Sequence, residues 1–593
     1  MNRKTDIISP QDAPTLPALF AERVRRTPQA CAYLRFDLQG SCCDECITWE
    51  ATAALAGHWQ AALRREGLLP GDRVAVMLRN GLEWAVFDQA ALGLGLVIVP
   101  LFVNDRPDNF AYIIEETGAR FLLIEGVAQW DVIKSVQPRL DSLLRIVTLH
   151  PACTVDCDPR LVELADWLPK AHAPYDAGSA AADHLATIVY TSGTTGNPKG
   201  VMLTHANILS NAFAGLSRVP IYPDDLFLSF LPLSHTLERT AGYYLAIMAG
   251  ARVAHVRSLE KLADDLPVVR PTVVISVPRV FERIHARVMA KLATAPPWKQ
   301  RLFALTIEVG WQRFLHQQGR GSWSLRFLLW PVLQRLIADK VLTALGGRLR
   351  LAISGGAPLN PEVARLFISL GLPILQGYGL TETSPVVAVN SAADNYPETV
   401  GQPLPGVAIK IAANGELLIK GECVMAGYWQ NPAATAAIID REGWLHSGDL
   451  VTITPSGHIA ITGRLKEIIV LSNGEKIPPA DIELAITTDP LFEQVLVVGE
   501  GRPYLGALVV LNGAEWEKLS GSALEQRAVE ELLLARIAAR MRHFPGYAQI
   551  RRVQVTATPW EVANGLLTAT LKLRRPQLFS YYAAEIAALY AGH

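Results

Sequence analysis

The stretch that decides the fold class is residues 73–124, RVAVMLRNGLEWAVFDQAALGLGLVIVPLFVNDRPDNFAYIIEETGARFLLI. Its short apolar runs predict strands, and the segments between and before them have the spacing of helices. Strands that alternate with helices form a mostly parallel sheet covered by helices, so the sequence predicts an α/β protein. The predicted strands lie at 73–78, 97–100 and 120–124, and the predicted helices at 50–65, 82–92 and 108–117.

The remaining chain predicts two further units. The same alternation returns after residue 200, and strands are predicted at 349–353 and 372–375. From about residue 400 the pattern changes to short strands punctuated by Gly and Asn, which indicates a β-rich subdomain. We therefore predict a large region of mixed and parallel sheets at 1–462, with the β-rich subdomain at about 400–462, and a small α+β domain at 463–593.

Composition excludes several classes of protein. The chain has 593 residues, of which 50% are hydrophobic and 19% charged, so it is too apolar to be disordered and too long for one compact core. Its 55 Lys and Arg balance 56 Asp and Glu, which argues against broad nucleic-acid binding. The N-terminus has no apolar signal segment, and the longest uncharged apolar stretch, 90–103, is too short to span a bilayer. We therefore expect a cytoplasmic protein.

Five of the seven cysteines are grouped. Cys42, Cys43 and Cys46 form a CCxxC cluster, and Cys153 and Cys157 form a looser pair. A second CxxC or a His pair at zinc spacing is missing, so reduced thiols in loops are the preferred interpretation over a metal site.

The strongest local signal is IVYTSGTTGNPKG at residues 188–200. An apolar strand runs into a loop of glycines and hydroxyl residues that ends at Lys199. Glycines let backbone N–H groups face an anion, and the lysine adds a positive charge, so the loop suits a polyphosphate. It does not fit the Walker A pattern. From composition alone a flexible surface linker is equally compatible.

Three other segments favour the nucleotide interpretation. In QGYGLTET at 376–383, Tyr378 could stack on a base, Thr381 could bind a phosphate and Glu382 could hold Mg²⁺. In WLHSGDL at 444–450, Asp449 could accept hydrogen bonds from a ribose diol, and the Ser-Gly-Gly turn at 354–356 could let a flat base approach the backbone. Each segment alone is compatible with a core or turn role, but together they predict a nucleotide site.

These motifs, taken in order, resemble the adenylate-forming superfamily of acyl- and aryl-CoA synthetases, peptide-synthetase adenylation domains and luciferases. The resemblance covers about residues 20–590. It rests on the segments YTSGTTGNPKG, LPLSH, SGGAPL, GYGLTET, WLHSGD, GRLKE and NGLLTATLK.

The resemblance implies a two-step reaction. A carboxylate attacks the α-phosphate of ATP, with Mg²⁺ as cofactor, and the acyl-adenylate then loses AMP to a thiol, usually coenzyme A. The implied roles are phosphate binding by the loop from Thr191 to Lys199, metal binding by Glu382 and Thr194, adenine binding around Tyr378, ribose binding by Asp449, and contact with ribose and phosphate by Arg464. The full set implied to bind ATP or AMP is Thr191, Ser192, Gly193, Thr194, Thr195, Gly196, Lys199, Gly355, Gly356, Ala357, Gln376, Gly377, Tyr378, Gly379, Thr381, Asp449 and Arg464.

The resemblance also implies a mobile C-terminal domain that brings a lysine into the site. Lys572, in NGLLTATLK, matches the family's adenylation lysine, although Ala569 stands where the family usually has proline. Lys466 falls at the hinge, and the segment 468–476 resembles a hairpin that lines the pantetheine tunnel after rotation. The catalytic residues implied are therefore Lys572, His235, Glu382 and Lys199.

The implied substrate is a long-chain fatty acid. His235 lies in LPLSHTLER, a form associated with long-chain and very-long-chain fatty acyl-CoA synthetases, at the position of the acyl-pocket entrance. The helical stretch between 282 and 354 resembles an insertion of long-chain members. Transfer to an acyl carrier protein, or release of the adenylate as in fatty acyl-AMP ligases, remains open. A degenerate scaffold is disfavoured because the catalytic groups are present, and the insertion gives no support for a luciferase-like oxygenase.

One segment of that insertion, 323–337, admits two interpretations. Its apolar residues have helical spacing, so the segment is either a helix packed on the core, which we favour, or an in-plane membrane contact that lets fatty acid enter from the cytoplasmic face of a bilayer. Pro331 is expected to bend or split this helix. The apolar residues are Leu325, Leu328, Leu329, Val332, Leu333, Leu336 and Ile337.

Overall fold

A computed structural model describes residues 3–37, 40, 42–150, 158–171, 173–191, 198–519, 526–568 and 572–591. Its strands are β1 Cys31–Arg35, β2 Glu45–Thr48, β3 Arg73–Met77, β4 Val97–Pro100, β5 Phe121–Ile124, β6 Arg145–Thr148, β7 Leu161–Glu163, β8 Leu185–Thr191, β9 Lys199–Thr204, β10 Leu226–Ser229, β11 Arg252–His255, β12 Val273–Ser276, β13 Leu351–Ser354, β14 Ile374–Gly379, β15 Val386–Val389, β16 Gln402–Pro403, β17 Ala408–Ile411, β18 Glu416–Lys420, β19 Gly427–Tyr428, β20 Leu445–Ile453, β21 Ile459–Arg464, β22 Ile469–Val470, β23 Lys476–Ile477, β24 Phe492–Val498, β25 Leu505–Leu511 and β26 Ile550–Val555.

The α-helices are α1 Leu16–Arg26, α2 Trp49–Arg65, α3 Leu82–Gly93, α4 Pro107–Thr117, α5 Val127–Ile133, α6 Leu164–Trp167, α7 His205–Arg218, α8 Leu245–Ala249, α9 Leu262–Val269, α10 Pro278–Ala293, α11 Pro297–Gln317, α12 Trp330–Leu333, α13 Asp339–Thr343, α14 Pro361–Ser369, α15 Pro432–Ala436, α16 Pro479–Thr487, α17 Gly513–Leu519, α18 Gln526–Arg540, α19 Arg575–Tyr581 and α20 Ala583–Ala588. The 3₁₀ turns are Lys134–Arg139, Leu325–Leu329, Thr381–Thr383 and Gly546–Ala548, and the π-helical turns are Glu238–Tyr244 and Gln334–Ala338.

Two large sheets form the first part of the chain. In the described residues, one has nine strands in the order β16-β15-β14-β13-β12-β10-β11-β1-β2, and the other has eight in the order β19-β9-β8-β4-β3-β5-β6-β7. In the first sheet, the strands from β14 through β1 are parallel to their neighbours. The edge strand β2 is antiparallel to β1. A four-stranded antiparallel sheet of β17, β18, β20 and β21 follows. The α/β fold class is confirmed, and the four-stranded sheet lies within residues 408–464.

The main core lies between the two large sheets. It contains Val74 and Ile98 of the eight-stranded sheet together with Val253 and Ile275 of the nine-stranded sheet. Helix α3 is buried at every position except Glu83, as expected for a helix with apolar residues around most of its circumference. The carboxyl ends of β8 and β14, one from each sheet, border the same cavity through Thr191 and Gly379, which is where α/β proteins bind ligands.

The nine-stranded sheet has a second covered face. Side chains of β13 alternate, so Leu351 packs in the core between the sheets, whereas Ala352 packs on the other side with Phe314 of α11 and Phe367 of α14. Gly310 of α11 allows this packing, because a Cβ there would lie 1.8 Å from the carbonyl oxygen of Ser369. The insertion helices α10 and α11 thus cover the outer face of this sheet.

The segment predicted as a helix at 323–337 is helical from Leu325 onward, but it changes helix type along its length. The segment consists of the 3₁₀ turn Leu325–Leu329, the short helix α12 and the π-helical turn Gln334–Ala338. Pro331 is at the start of α12, where its missing N–H costs nothing, so the proline splits the helix as expected. The preferred core-packing interpretation is wrong for most of the stripe: Leu333 is buried and Ile337 is partly buried, but the other apolar positions are exposed, namely Leu325, Leu328, Leu329, Val332 and Leu336.

The last part of the chain has its own small sheet and core. Strands β24, β25 and β26 form a three-stranded sheet, and β22 pairs with β23 as the hairpin predicted at 468–476. The predicted boundary at 462/463 falls inside β21, which continues to Arg464, so the chain leaves the β-rich sheet two residues later than expected. Lys466 lies on the exposed turn that follows.

Candidate active site

The two ends of the predicted phosphate loop are neighbours. Strands β8 and β9 are antiparallel, and Thr191 is paired with Lys199. The Thr191 hydroxyl donates a hydrogen bond to the Lys199 carbonyl at 3.5 Å. The residues between, including the predicted Ser192, Gly193, Thr194, Thr195 and Gly196, lie outside the described residues.

Tyr428, which the sequence analysis did not identify, lies between Lys199 and the predicted metal ligand Glu382. The Lys199 ammonium nitrogen is 5.0 Å from the centre of the Tyr428 ring, and the Tyr428 hydroxyl donates to Glu382 Oε1 at 2.8 Å. Strand β19, which carries Tyr428, pairs with β9, and this pairing fixes the arrangement. Burial, together with the negative charge of Glu382, holds the pKa of Tyr428 well above its usual range, so the hydroxyl stays a donor. No motif around Tyr428 marked it in the sequence.

The predicted ribose site is a three-residue network. The Tyr378 hydroxyl donates to Asp449 Oδ2 at 2.5 Å, and Arg464 Nε donates to Asp449 Oδ1 at 2.8 Å. Asp449 and Arg464 face each other because they are paired across β20 and β21. Burial is the largest cause of a pKa for Tyr378 well above its usual range, followed by the Asp449 charge. The carboxylate of Asp449 is therefore buried, and each of its two oxygens accepts one side-chain hydrogen bond that holds it in place.

Glycines form the wall near this network. Gly355, Gly356, Gly377 and Gly379 line the same cavity as Thr381 and Tyr378. Only glycine fits at 379, because a Cβ there would lie 1.8 Å from the carbonyl oxygen of Pro385. Backbone therefore borders the cavity without intervening side chains, as a flat base requires.

Four of the predicted nucleotide-binding residues that the structure describes are not among the residues that line the cavity, namely Lys199, Ala357, Gln376 and Asp449. The Gln376 side chain is buried, accepts a hydrogen bond from Leu359 N at 3.2 Å and donates to the carbonyl oxygen of Pro397. It therefore braces the chain after β13 and does not contribute its amide to the cavity wall. Ala357 is exposed and is not among the residues that line the cavity.

Lys572 enters the cavity from the C-terminal part of the chain. Its backbone N–H donates to the Thr568 hydroxyl at 3.0 Å, and Thr568 N donates back to the Lys572 carbonyl at 2.9 Å. Its side chain lines the cavity. Some solvent still reaches the side chain, but the surrounding protein removes much of the water around the ammonium group. This desolvation, and next the positive charge of Arg464, lower the pKa of Lys572, whereas the carboxylates of Asp449, Glu467 and Glu382 oppose the shift.

His235 faces the same cavity as a neutral side chain. Burial, and next the cation of Lys572, lower its pKa to about 4. Its Nδ1 accepts a hydrogen bond from Leu237 N at 3.1 Å, so in the neutral ring Nε2 carries the proton. The structure thus brings His235 and Lys572 together although 337 positions separate them in sequence.

The cavity has a volume of about 370 Å³ and joins a polar end to an apolar end. The polar end holds Lys572, Arg464, Glu382 and Tyr378. The apolar end lies between α7, the π-helical turn Glu238–Tyr244 and β15, and nothing in the sequence marked its residues. They are Ala212, Gly215, Val219, Ala241, Leu245 and Val386.

Comparison with known proteins explains this arrangement. The profile of the AMP-binding enzyme family matches residues 20–429, and that of the AMP-binding enzyme C-terminal domain matches residues 466–593. This chain belongs to the AMP-binding enzyme family.

Curated relatives match over most of the chain. This AMP-binding enzyme is 32% identical over 539 residues to a protein named long-chain-fatty-acid–CoA ligase FadD15 from Mycobacterium bovis, with 88% of this chain and 89% of the relative covered. It is 30% identical to the peroxisomal long chain acyl-CoA synthetase 6 of Arabidopsis thaliana, over 89% of this chain and 79% of that protein. Among solved structures, the adenylation domain of a carboxylate reductase from Mycobacterium chelonae is similar with a TM-score of 0.75 at 24% identity, covering 97% and 91% of the two chains.

The donor set of this AMP-binding enzyme fits Mg²⁺ at one position. In the described part of the chain no group of three or more His, Cys, Asp or Glu residues could hold a metal ion. Mg²⁺ in nucleotide sites is held by one or two carboxylates and completes its shell with phosphate and water oxygens. Glu382 supplies such a carboxylate in the cavity wall. By contrast, Cys42, Cys43 and Cys46 are free thiols, and Cys153 and Cys157 lie outside the described residues.

Proposed function

We propose that this enzyme activates a long-chain fatty acid with ATP and transfers the acyl group to coenzyme A, giving acyl-CoA, AMP and pyrophosphate. The curated relatives named as long-chain fatty acid CoA ligases support the substrate class. The observation that carries the proposal is the single cavity that joins a cationic, nucleotide-type end to an apolar end.

The chemistry at the polar end is a reaction between two anions. A carboxylate needs no general base, so the protein must neutralise charge and align the attack on the α-phosphate. Lys572 would bridge the carboxylate and the α-phosphate, and Lys199 would hold the terminal phosphates. Glu382, with Thr194, would hold Mg²⁺, which supplies further neutralisation of phosphate charge when bound. His235 would border the fatty-acid carboxylate as a neutral donor.

The C-terminal part would act as a mobile lid. We propose that residues 463–593 rotate about Lys466 after adenylation, which removes Lys572 from the cavity and brings the hairpin of β22 and β23 towards it. The exposed turn at Lys466 and the separate core of the C-terminal part support this proposal.

The experiment is pyrophosphate release across short-chain to long-chain acids, with either coenzyme A or a phosphopantetheinylated carrier protein as acceptor. We expect release with long-chain acids and thioester formation with coenzyme A. Transfer only to the carrier protein would support the acyl carrier protein alternative, and adenylate without transfer to either thiol would support a fatty acyl-AMP ligase. No release with any fatty acid would overturn the substrate assignment.

We further propose that the insertion contacts an anionic membrane surface. Between residues 282 and 354 the insertion contains twelve Lys and Arg but two Asp and Glu, although the whole chain is balanced. On the same insertion, Leu325 is 72% exposed and Leu328 70% exposed, and Trp323 and Val332 are also exposed. Basic residues beside exposed apolar side chains are typical of interfacial membrane contacts. Among the described residues, no helix is long and apolar enough to cross a bilayer.

The patch lies on the outer face of the nine-stranded sheet, whereas the apolar end of the cavity lies on the inner face. Ile353, which lines the cavity, and Ala352, which packs towards the insertion, point to opposite sides of β13. The sheet thus separates the two regions, so we propose docking of the enzyme and not direct entry of fatty acid through this patch.

Vesicle flotation tests this contact. We expect the wild type to float with vesicles that contain anionic lipid, and Leu328→Glu/Leu329→Glu to stay at the bottom. A double variant at two exposed leucines elsewhere, Leu69→Glu/Leu259→Glu, is the matched control and should float like the wild type. Equal flotation of both double variants would eliminate the proposal.

A further inference from the structure

The turn that follows β21 is anchored to the nucleotide site. The Arg464 carbonyl accepts hydrogen bonds from Glu467 N at 3.0 Å and Ile468 N at 3.2 Å. The Arg464 side chain in turn donates to Asp449. The turn around Lys466 therefore begins at a residue held by the ribose-type network.

The far side of this turn is held by Arg575, the first residue of α19. Arg575 Nε lies 3.5 Å from Glu467 Oε2, and Arg575 Nη2 donates to Glu483 Oε2 at 2.6 Å. The Arg575 side chain is 12% exposed, and Glu483 Oε1 also accepts from Val497 N of β24 at 2.8 Å. Arg575 thus joins the hinge turn to a helix and a strand of the lid core.

Arg575 is also three residues from Lys572. The intervening chain is short and held at both sides, because Lys572 is hydrogen-bonded to Thr568 and Arg574 N donates to the Leu566 carbonyl at 3.0 Å. Whatever fixes Arg575 therefore limits where Lys572 can lie.

We propose that Arg575 is a positioning residue. Its ion pair with Glu467 attaches the residue that follows the hinge to the rigid lid. Rotation at Lys466 therefore delivers Lys572 to one place. This inference rests on the proposed function. Without the Glu467–Arg575 pair, the turn has additional freedom between Lys466 and β22, and a given rotation no longer places the ammonium group reproducibly. Misplacement of a reacting group by about 1 Å can cost on the order of 100-fold in rate.

Two substitutions break the same pair from opposite sides. Glu467→Gln retains the size of the side chain and leaves Arg575 paired with Glu483, so the lid core stays satisfied. Arg575→Gln leaves the Glu467 charge in place, which separates positioning from a direct effect of that charge on Lys572. Arg575→Lys retains the cation, and Glu493→Gln, at an exposed position on β24 of the same domain, is the matched control.

The experiment measures the two half-reactions separately: ATP–pyrophosphate exchange with a fatty acid, and transfer from supplied acyl-AMP to coenzyme A. We expect Glu467→Gln to lower exchange about tenfold or more through kcat, and to change transfer less than twofold. The double variant Glu467→Gln/Arg575→Gln should lose no more exchange than the more damaged single variant, because both act on one interaction. Arg575→Lys should show more exchange than Arg575→Gln because it retains the cation. Glu493→Gln should show the same exchange as the wild type.

Three results would overturn the inference: unchanged exchange in Glu467→Gln, an equal loss in both half-reactions, or additive losses in the double variant. If Arg575→Gln does not fold, because Glu483 is left buried without its partner, the comparison of Glu467→Gln with Arg575→Lys decides the question. Failure of the proposed function would be a different result, since the wild type itself would then show no exchange with any fatty acid.

Discussion

The two faces of the nine-stranded sheet differ in how they use apolar side chains. On the inner face, apolar residues of α7 and the π-helical turn are buried and enclose one end of the cavity. On the outer face, the insertion buries Trp330 and Leu333 against α14 but leaves Leu325 and Leu328 in solvent. The sheet thus lies between the cavity and the exposed apolar side chains of the insertion, and substitutions on the two faces should affect different measurements.

The largest effect on catalysis is expected at Lys572 on the inner face. Lys572→Ala removes the only lysine among the described residues that line the cavity, so adenylate formation should fall on the order of 1000-fold, whereas transfer from supplied acyl-AMP should stay within twofold. ATP–pyrophosphate exchange and acyl transfer measure the two steps. Loss of both half-reactions would contradict the role assigned to Lys572.

A smaller effect is expected at Tyr428, which donates a hydrogen bond to Glu382. Tyr428→Phe keeps the ring beside Lys199 but removes a hydrogen bond to a carboxylate, so kcat/KM for adenylation should fall about tenfold. Titration with Mg²⁺ should show a weaker apparent affinity. Tyr428→Leu removes the ring as well and should be more damaging; equal rates for wild type and Tyr428→Phe would show that Glu382 does not need this donor.

Substitution of Glu238, which also lies on the inner face of the nine-stranded sheet, should affect the free energy of unfolding more than turnover. Burial raises its pKa to about 8, and it lies in the π-helical turn that borders the apolar end. Between about pH 4.5 and 8 the folded state keeps a proton that the unfolded chain releases, so the free energy of unfolding falls as pH rises through this window, by at most about 5 kcal/mol.

Glu238→Gln should remove this loss while its turnover near pH 7 stays within twofold. Thermal unfolding of the wild type and the variant at pH 5 and pH 8 measures the difference: the two should be similar at pH 5, and the variant should be the more stable at pH 8. Parallel changes in both proteins would show that Glu238 does not carry the pH dependence.

The sequence was most informative where local pattern and local structure coincide. The strand predicted at 97–100 and the helix at 82–92 are confirmed within one residue as β4 and α3, because alternation of apolar runs and helical segments is a local property. The motifs likewise marked Lys199, Glu382, Asp449 and Lys572, which the structure brings near one another.

What the sequence did not indicate depends on long-range packing. Tyr428 is placed by the pairing of β19 with β9, and the apolar end of the cavity is built from α7, a π-helical turn and β15, so neither has a local signal. The prediction that the apolar stripe at 323–337 packs on the core was wrong although the stripe has a clear local pattern. Its spacing is helical, but Pro331 splits the segment, and only part of it finds a surface to pack against.

The smallest effect on catalysis is expected on the outer face. Leu328→Glu/Leu329→Glu changes two side chains that are 70% and 48% exposed and that the sheet separates from the cavity. In the absence of vesicles, kcat and KM for a soluble fatty acid should therefore stay within twofold of the wild type, and the melting temperature should change little, because exposed substitutions rarely cost more than about 0.5 kcal/mol. A large loss of turnover without lipid would show that the insertion and the cavity are coupled through the sheet, and would remove the separation between the two faces.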